Sequence, residues 1–279
     1  MSRDKGEKRH LDDHRKFFRE VLLRINEIME GKYKLHEVSV RPLGAGGARL
    51  SIPVVIEGLG ENGQEVRYFG KIMGGSDLMT ARTLQFMKNI YLETNSREPL
   101  FDFASSAEDM ARFQFDQMKS IHDLGIPTAK PYGYHPLKGQ MWLLVAEFLE
   151  AIPLTEVKSI NAEQIEVVFS YLVRMHQKGI FHGDLKPENI MFGDRIFILD
   201  VGQFLEEAPE EEKIAYDLAS MICAFVNFAS PESIIKTAGK YYRRKQLNKA
   251  TEYLELIQRR PDFQFDDATR NILLNLMTN

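Results

Sequence analysis

One cysteine, Cys223, is all the chain carries, which excludes an intrachain disulfide and any multi-cysteine zinc site. It sits in the apolar run Met221 to Phe225, so a buried core thiol in a reducing cytoplasm is expected. Long hydrophobic runs are missing too. No stretch approaches the ~18 uncharged apolar residues of a membrane-spanning helix, and the charged opening MSRDKGEKRH has no apolar core of a secretory leader. Positive charge is not in excess: the net charge of −4 argues against a general nucleic-acid-binding surface. No repeat, low-complexity block or strong linker interrupts the sequence, and nothing in it specifies an oligomeric state. What is present is ordinary globular composition, 44% hydrophobic and 27% charged, with enough apolar material for sizeable cores. A length of 279 residues favours two lobes over one simple core.

The most informative stretch is His182-Gly183-Asp184-Leu185-Lys186-Pro187-Glu188-Asn189-Ile190, followed by Ile196 to Leu199 and Asp200-Val201-Gly202. Two short apolar stretches, Ile190 to Phe192 and Arg195 to Leu199, flank a Gly193-Asp194 turn. A β-hairpin here would return Asp200 beside Asn189. The amide and the carboxylate would then offer oxygen ligands to one point, which suits Mg²⁺ completed by substrate phosphates. Asp184, at the start of the same loop, is the carboxylate expected to receive the proton of an attacking hydroxyl, and Lys186 adds a cation for the transferring phosphoryl group. Together these residues read as a phosphotransferase active site.

Elsewhere the periodicity outlines an α+β chain. Residues 12 to 30 place Phe18, Val21, Leu22, Ile25, Ile28 and Met29 at helical spacing. Short β-rich runs follow at Glu37 to Val40, Leu50 to Ile56 and Glu65 to Ile72, consistent with a small antiparallel sheet. Residues 74–103 form an inserted segment, with a helix over Asp77 to Tyr91 and then a polar loop. Ser106-Ala107-Glu108-Asp109 opens the next helix and Leu124-Gly125-Ile126-Pro127 ends it. A strand is predicted over Gln140 to Phe148 and helices over Asn161 to Lys178 and Glu212 to Phe228. Pro231 to Asn279 reads as two or three more helices. Gly44, Gly46 and Gly47 lie between the first two strands, where small residues let backbone N–H groups approach phosphate. Lys71, flanked by apolar residues in an interior strand, needs an anionic partner, which ATP phosphates would supply.

The joint pattern resembles the protein-kinase superfamily, whose catalytic loop and metal-binding Asp-Phe-Gly it matches as HGDLKPEN and DVG. The resemblance implies ATP and Mg²⁺ as cofactors and a bilobal fold: residues 1–34 as a tail and amphipathic helix, 35–148 as a small antiparallel-sheet N-lobe and 149–279 as a mainly helical C-lobe. It makes Val145 to Leu149 a hinge between lobes, offering the Glu147 carbonyl and the Leu149 N–H to adenine, and makes Asp217 a support of the catalytic loop. In the family the strand lysine pairs with a glutamate on the following helix. Counting back from Gly125 puts Gln114 there. Met110, Gln114, Met118 and Ile121 share one helical face, and Arg112, Asp116, Lys119 and Asp123 the opposite one. The departure leaves three readings open: weak activity, a replacement carboxylate such as Glu108, or a different register.

His-Gly-Asp and Asp-Val-Gly-Gln are similar to the RIO and related small atypical kinases and to the aminoglycoside phosphotransferases. No serine or threonine lies between Gly202 and Asp217, so no phosphorylation-switched loop of the usual kind is expected. Ala208-Pro209-Glu210 follows Gly202 too soon to close a peptide-binding segment and reads as an acidic helix start. Leu185-Lys186-Pro187-Glu188-Asn189, however, is the wording of serine/threonine protein kinases. The expected acceptor is therefore a protein serine or threonine hydroxyl. A small-molecule phosphotransferase for a sugar, lipid head group or antibiotic and a nucleotide-switched scaffold or ATPase are the alternatives.

Overall fold

The computed structural model describes the backbone of residues 2–43 and 51–279 and the side chains of 16–43, 51–74 and 85–279. The chain divides into two compact units: Met1–Ala81, Ala104–Phe115 and Pro131–Phe148 form the first, and Arg82–Phe103, Asp116–Lys130 and Leu149–Asn279 the second.

The first unit is an antiparallel sheet of β1 (His36–Pro42), β2 (Ile52–Leu59), β3 (Glu65–Met73), β4 (Pro131–Pro136) and β5 (Trp142–Glu147), in the order β1-β2-β3-β5-β4. Helix α1 (Ser2–Tyr33) packs on it, with Val21, Ile25 and Met29 against Val54, Ile56, Ile72, Leu143 and Val145. Its buried stripe is narrower than the sequence pattern: Phe18 and Leu22 are exposed. The sequence analysis predicts no strand at β4, whose six residues hold two prolines and a glycine. At a sheet edge those prolines cost little, since one side of the strand has no ladder to donate to.

His135 of β4 joins this strand to α1. Its Nε2 lies 2.7 Å from the Tyr33 hydroxyl and its Nδ1 3.3 Å from Lys32 Nζ. Burial first, then the charges of Lys32 and Arg24, push its pKa from 6.5 down to about 4. The unfolded chain therefore takes up this proton more readily than the folded one. The stability contribution is fully present above the unfolded pKa and is lost as pH falls from 6.5 toward 4. Denaturant titrations across that window should show a loss of about 2–3 kcal/mol from this group, and His135→Gln should flatten it. An unchanged slope in the variant would exclude His135 as the source.

The second unit is mainly helical. Helix α2 (Gly75–Thr94) enters it, and the loop that follows is fastened by Asn89. Asn89 Nδ2 donates to the Phe101 carbonyl at 2.8 Å, and its Oδ1 accepts from the Leu100 and Phe101 amides at 3.1 and 3.0 Å. Leu92, Leu100 and Phe101 thereby join the core. Helix α3 (Ala107–Asp123), whose residues up to Phe115 belong to the first unit, starts at Ser106, whose hydroxyl accepts from the Asp109 amide at 3.0 Å. Helix α4 (Ala162–His176) opens with a capping box of Asn161 and Gln164 and buries Ile165, Val168, Phe169 and Leu172. A small sheet of β6 (Ile152–Pro153), β7 (Ile190–Phe192) and β8 (Ile196–Ile198) lies in this unit.

At the centre runs α5 (Glu210–Ala224), buried almost throughout from Lys213 onward, Cys223 included. Burial pushes the Cys223 thiol up, out of the reactive range. Helices α6 (Pro231–Ala238), α7 (Arg244–Ala250), α8 (Leu254–Gln258) and α9 (Asp267–Thr278) complete the unit. The C-terminal stretch holds four helices where the sequence suggested two or three, because a turn after Ala238, a 3-10 segment at Thr251–Tyr253 and a turn at Arg260-Pro261 divide it. Among the described residues no helix is long and apolar enough to cross a membrane.

Candidate active site

The hairpin forms as its turn chemistry suggests. β7 and β8 pair antiparallel with Ile190 opposite Ile198, Met191 opposite Phe197 and Phe192 opposite Ile196. Its base closes through the Leu199 amide donating to the Asn189 carbonyl at 2.9 Å. Asn189 Nδ2 then donates to the backbone carbonyls of Asp184 and Asp200 at 2.8 and 3.2 Å and to Asp184 Oδ2 at 3.3 Å. One buried amide thus ties the start of the loop to the residue that ends the hairpin. Asn189 Oδ1 accepts no hydrogen bond from a described residue, which leaves an oxygen for a ligand. That oxygen and the Asp200 carboxylate are hard donors of the chemical kind Mg²⁺ takes when phosphates supply further ligands. Among the described residues no cluster of three or more His, Cys, Asp or Glu could hold a metal by itself. Asp200 is exposed and has φ of 56°, a left-handed conformation that an aspartate tolerates better than most residues.

Backbone geometry explains both glycines of the motif. The Gly202 amide donates to the His182 carbonyl at 2.7 Å. A Cβ on Gly183 would lie 2.7 Å from the Gly202 carbonyl oxygen, and one on Gly202 would lie 2.8 Å from that of Gly183. Any side chain at either place would force the Asp200 segment off the loop at His182–Asp184, and Gly183 also has φ of 72°. Beneath the loop, fully buried Asp217 of α5 accepts from the His182 amide at 2.6 Å and the Gly183 amide at 2.7 Å, with His176 Nε2 at 3.2 Å. His182 is itself buried, its Nε2 3.0 Å from the Leu199 carbonyl, and burial pulls its pKa down.

Around Asp184 the charges are dense. Arg260 Nη2 donates to Asp184 Oδ1 at 2.6 Å, and Lys186 Nζ lies 3.8 Å from Asp184 Oδ2 and 3.9 Å from Asp262 Oδ1. Burial works to raise the Asp184 pKa, but Arg260, Lys186 and Lys88 outweigh it and hold the carboxyl at about 2. For Lys186, Asp184 and Asp262 likewise outweigh burial and raise the pKa. Lys88 of α2 stands over the Phe101 ring at 4.5 Å and the Tyr216 ring at 5.9 Å. Burial, then the like charge of Arg260, pull it down to about 7. Lys88, Tyr216, Arg260 and Asp262 escaped the sequence reading. No motif marks them, and each reaches Asp184's neighbourhood only through tertiary packing.

In the first unit, Lys71 is buried in β3 and its Nζ donates to Gln114 Oε1 at 3.0 Å. Glu108 is exposed, as is Asp116. Glu147 ends β5, with Tyr68 of β3 opposite, and Leu149 begins the last segment of the second unit. Gly44, Gly46 and Gly47 lie outside the described residues.

A family model of the RIO domain matches residues 83–237, more than half of the chain. The chain belongs to the RIO domain family. This RIO domain is also similar to serine/threonine-protein kinase D of Synechocystis sp., 28% identical over 129 residues, which are 43% of this chain and 25% of that protein. It shares 50% identity over 44 residues with serine/threonine-protein kinase PknD of Protochlamydia amoebophila, 14% of this chain and 4% of the relative. The chain spans a quarter or less of the length of these curated relatives. A crystal structure of a candidate fructosamine-3-kinase from Haemophilus somnus 129PT superposes with a TM-score of 0.51 at 12% identity, covering 93% of this chain and 99% of the other. That likeness is one of fold. The RIO domain has the bilobal protein-kinase-like fold, α+β, with an antiparallel-sheet unit and a mainly helical one.

Proposed function

We propose that this RIO domain is an ATP- and Mg²⁺-dependent phosphotransferase that moves the γ-phosphate to a hydroxyl, with a protein serine or threonine as acceptor, in a reducing cytoplasm. The observation that carries the reading is the Asn189 amide binding the Asp184 loop to the backbone of Asp200, which brings the three residues together at the base of the hairpin. Asp184 takes the proton of the attacking hydroxyl, and Lys186 supplies positive charge to the transferring group. Asn189 and Asp200 would hold the Mg²⁺, which when bound neutralises developing phosphate charge. Lys71 steadies the nucleotide phosphates with the glycines at 44, 46 and 47, and the Glu147 carbonyl and Leu149 amide receive the adenine edge. The single buried, unpaired thiol supports the compartment.

Transfer from γ-labelled ATP to a serine/threonine peptide library, run beside a panel of sugars, lipid head groups and aminoglycosides, tests the acceptor. Label in the peptides is expected. Label confined to the metabolites would replace this acceptor with a small molecule, a reading favoured by the short stretch between Gly202 and the start of α5 at Glu210.

Gln114 favours a further alternative, a nucleotide-switched scaffold, because a neutral amide holds Lys71 about half as strongly as a carboxylate would. If turnover is nevertheless the function, Gln114→Glu should keep or raise activity, and Gln114→Lys should lower it by adding a cation beside Lys71. Asp116→Ala, on the exposed face, should stay within about 0.5 kcal/mol of wild-type stability. Steady-state kinetics on the three variants check this. Loss of activity in Asp116→Ala alone would place Asp116 rather than Gln114 at the lysine.

A further inference from the structure

We infer that Arg260 is a positioning residue for phosphoryl transfer, a guanidinium from the far end of the chain that fixes the carboxylate of Asp184 in the orientation from which it engages the acceptor hydroxyl. The inference rests on the reading of Asp184 as the base. Arg260 is buried, and both of its terminal nitrogens are engaged. Nη1 donates to the Tyr216 hydroxyl at 2.7 Å, while Nη2 donates to Asp262 Oδ2 at 2.8 Å and to Asp184 Oδ1 at 2.6 Å. The Phe263 ring lies 5.0 Å from the guanidinium carbon. Because the guanidinium is planar with fixed donor directions, anchoring at Tyr216 and Asp262 leaves no freedom in where Nη2 points.

Pinning Oδ1 fixes the plane of the Asp184 carboxylate. Its other oxygen then faces Asn189 Nδ2 at 3.3 Å and Lys186 Nζ at 3.8 Å, beside the residues assigned to metal and phosphoryl group. That oxygen is the one left for an incoming hydroxyl. A guanidinium contact makes a carboxylate a weaker base, which would be a poor bargain if proton abstraction drove the reaction. In phosphoryl transfer little proton abstraction is needed early, and positioning dominates. Misplacement of a reacting group by about 1 Å can cost ~10²-fold in rate.

A merely structural bridge between the catalytic loop and the C-terminal helices predicts different behaviour, and a double-mutant cycle separates the two. With γ-labelled ATP and the serine/threonine peptide library as probe, Arg260→Ala should lower kcat by ~10–10²-fold with KM for ATP within a few-fold. Arg260→Lys should fall in between, and millimolar guanidinium should restore part of the Arg260→Ala rate. In an Asp184→Asn background, Arg260→Ala should add nothing. The exposed neighbour Arg259, paired with Glu255, serves as control, and Arg259→Ala should match wild type. Tyr216→Phe, which removes one anchor, should give a smaller loss of the same kind and reports if Arg260→Ala fails to fold.

Losses that multiply in the Asp184→Asn background, or a wild-type rate in both Arg260→Ala and Tyr216→Phe while Asp184→Asn is impaired, would overturn the role of Arg260 and leave the reading of Asp184 standing. A wild-type rate in Asp184→Asn would overturn both. Crystal structures of Arg260→Ala and Tyr216→Phe give an answer independent of the acceptor: a displaced or split Asp184 carboxylate is expected, and an unmoved one overturns the inference.

Discussion

Replacing Asp200 with alanine is expected to abolish phosphoryl transfer and Mg²⁺-supported nucleotide binding while the protein stays folded. The reason is charge. Of the two oxygen ligands proposed for the metal, Asn189 is neutral, so Asp200 would carry the whole negative charge offered to the cation. Mg²⁺ is held by few carboxylates and keeps its waters readily, so losing one of one is not compensated by the neighbours. The substitution also places alanine at a φ of 56°, which costs roughly 1–2 kcal/mol. Asp200→Asn separates the two effects, because asparagine accepts that backbone while removing the charge. Both variants should be inactive, with Asp200→Asn closer to wild type in thermal stability. Nucleotide titrations with and without Mg²⁺ should show the metal's contribution gone in each. Undiminished turnover in folded Asp200→Asn protein would remove Asp200 from the metal site.

Asp184→Asn should leave ATP affinity within a few-fold and lower kcat by ~10²–10⁴. The lower end of that range is the expected one here. Burial raises the pKa of this carboxyl, but Arg260, Lys186 and Lys88 hold it at about 2, so on the proposed reading it receives the hydroxyl's proton weakly and late and orients the hydroxyl before transfer. Asparagine keeps the acceptor for Arg260 and loses the charge, so the loop should remain in place. Pre-steady-state transfer assays with parallel ATP binding measurements distinguish the roles. Equal losses in binding and rate would make Asp184 a structural residue, and an unchanged rate would remove it from the chemistry.

Much of the site was legible in the chain because its parts are close in sequence. Asn189 and Asp200, eleven positions apart, meet at the base of a hairpin, and the apolar stretches flanking Gly193-Asp194 suffice to specify it. The inward side of α3 was legible for the same kind of reason. Helical periodicity alone puts Gln114 with Met110 and Met118, and the structure sets its Oε1 3.0 Å from Lys71. Local signals misled where the decisive partner was elsewhere. The prolines of β4 disfavour a strand locally, and the edge position that tolerates them belongs to the sheet. Phe18 and Leu22 fit the helical stripe of α1, yet the sheet covers only the Val21, Ile25 and Met29 side of it.

What the sequence determined by itself is therefore the local chemistry: a loop and hairpin that present Asp184, Asn189 and Asp200, a lysine in an apolar strand, and an α+β order of elements. The tertiary structure decided how that chemistry is held. Asp217 is 35 residues from the His182 amide it accepts from, and Arg260 is 76 residues from the carboxylate it grips. Hydrophobic patterning specifies which face of a helix is buried but not which distant residue the packed core will bring against it. Beyond Lys186 of the motif itself, the charges around Asp184, Arg260 after α8 and Lys88 of α2, are brought there by packing and carry no motif. Ion pairs between such distant residues acquire their geometry only after non-directional burial has chosen the neighbours.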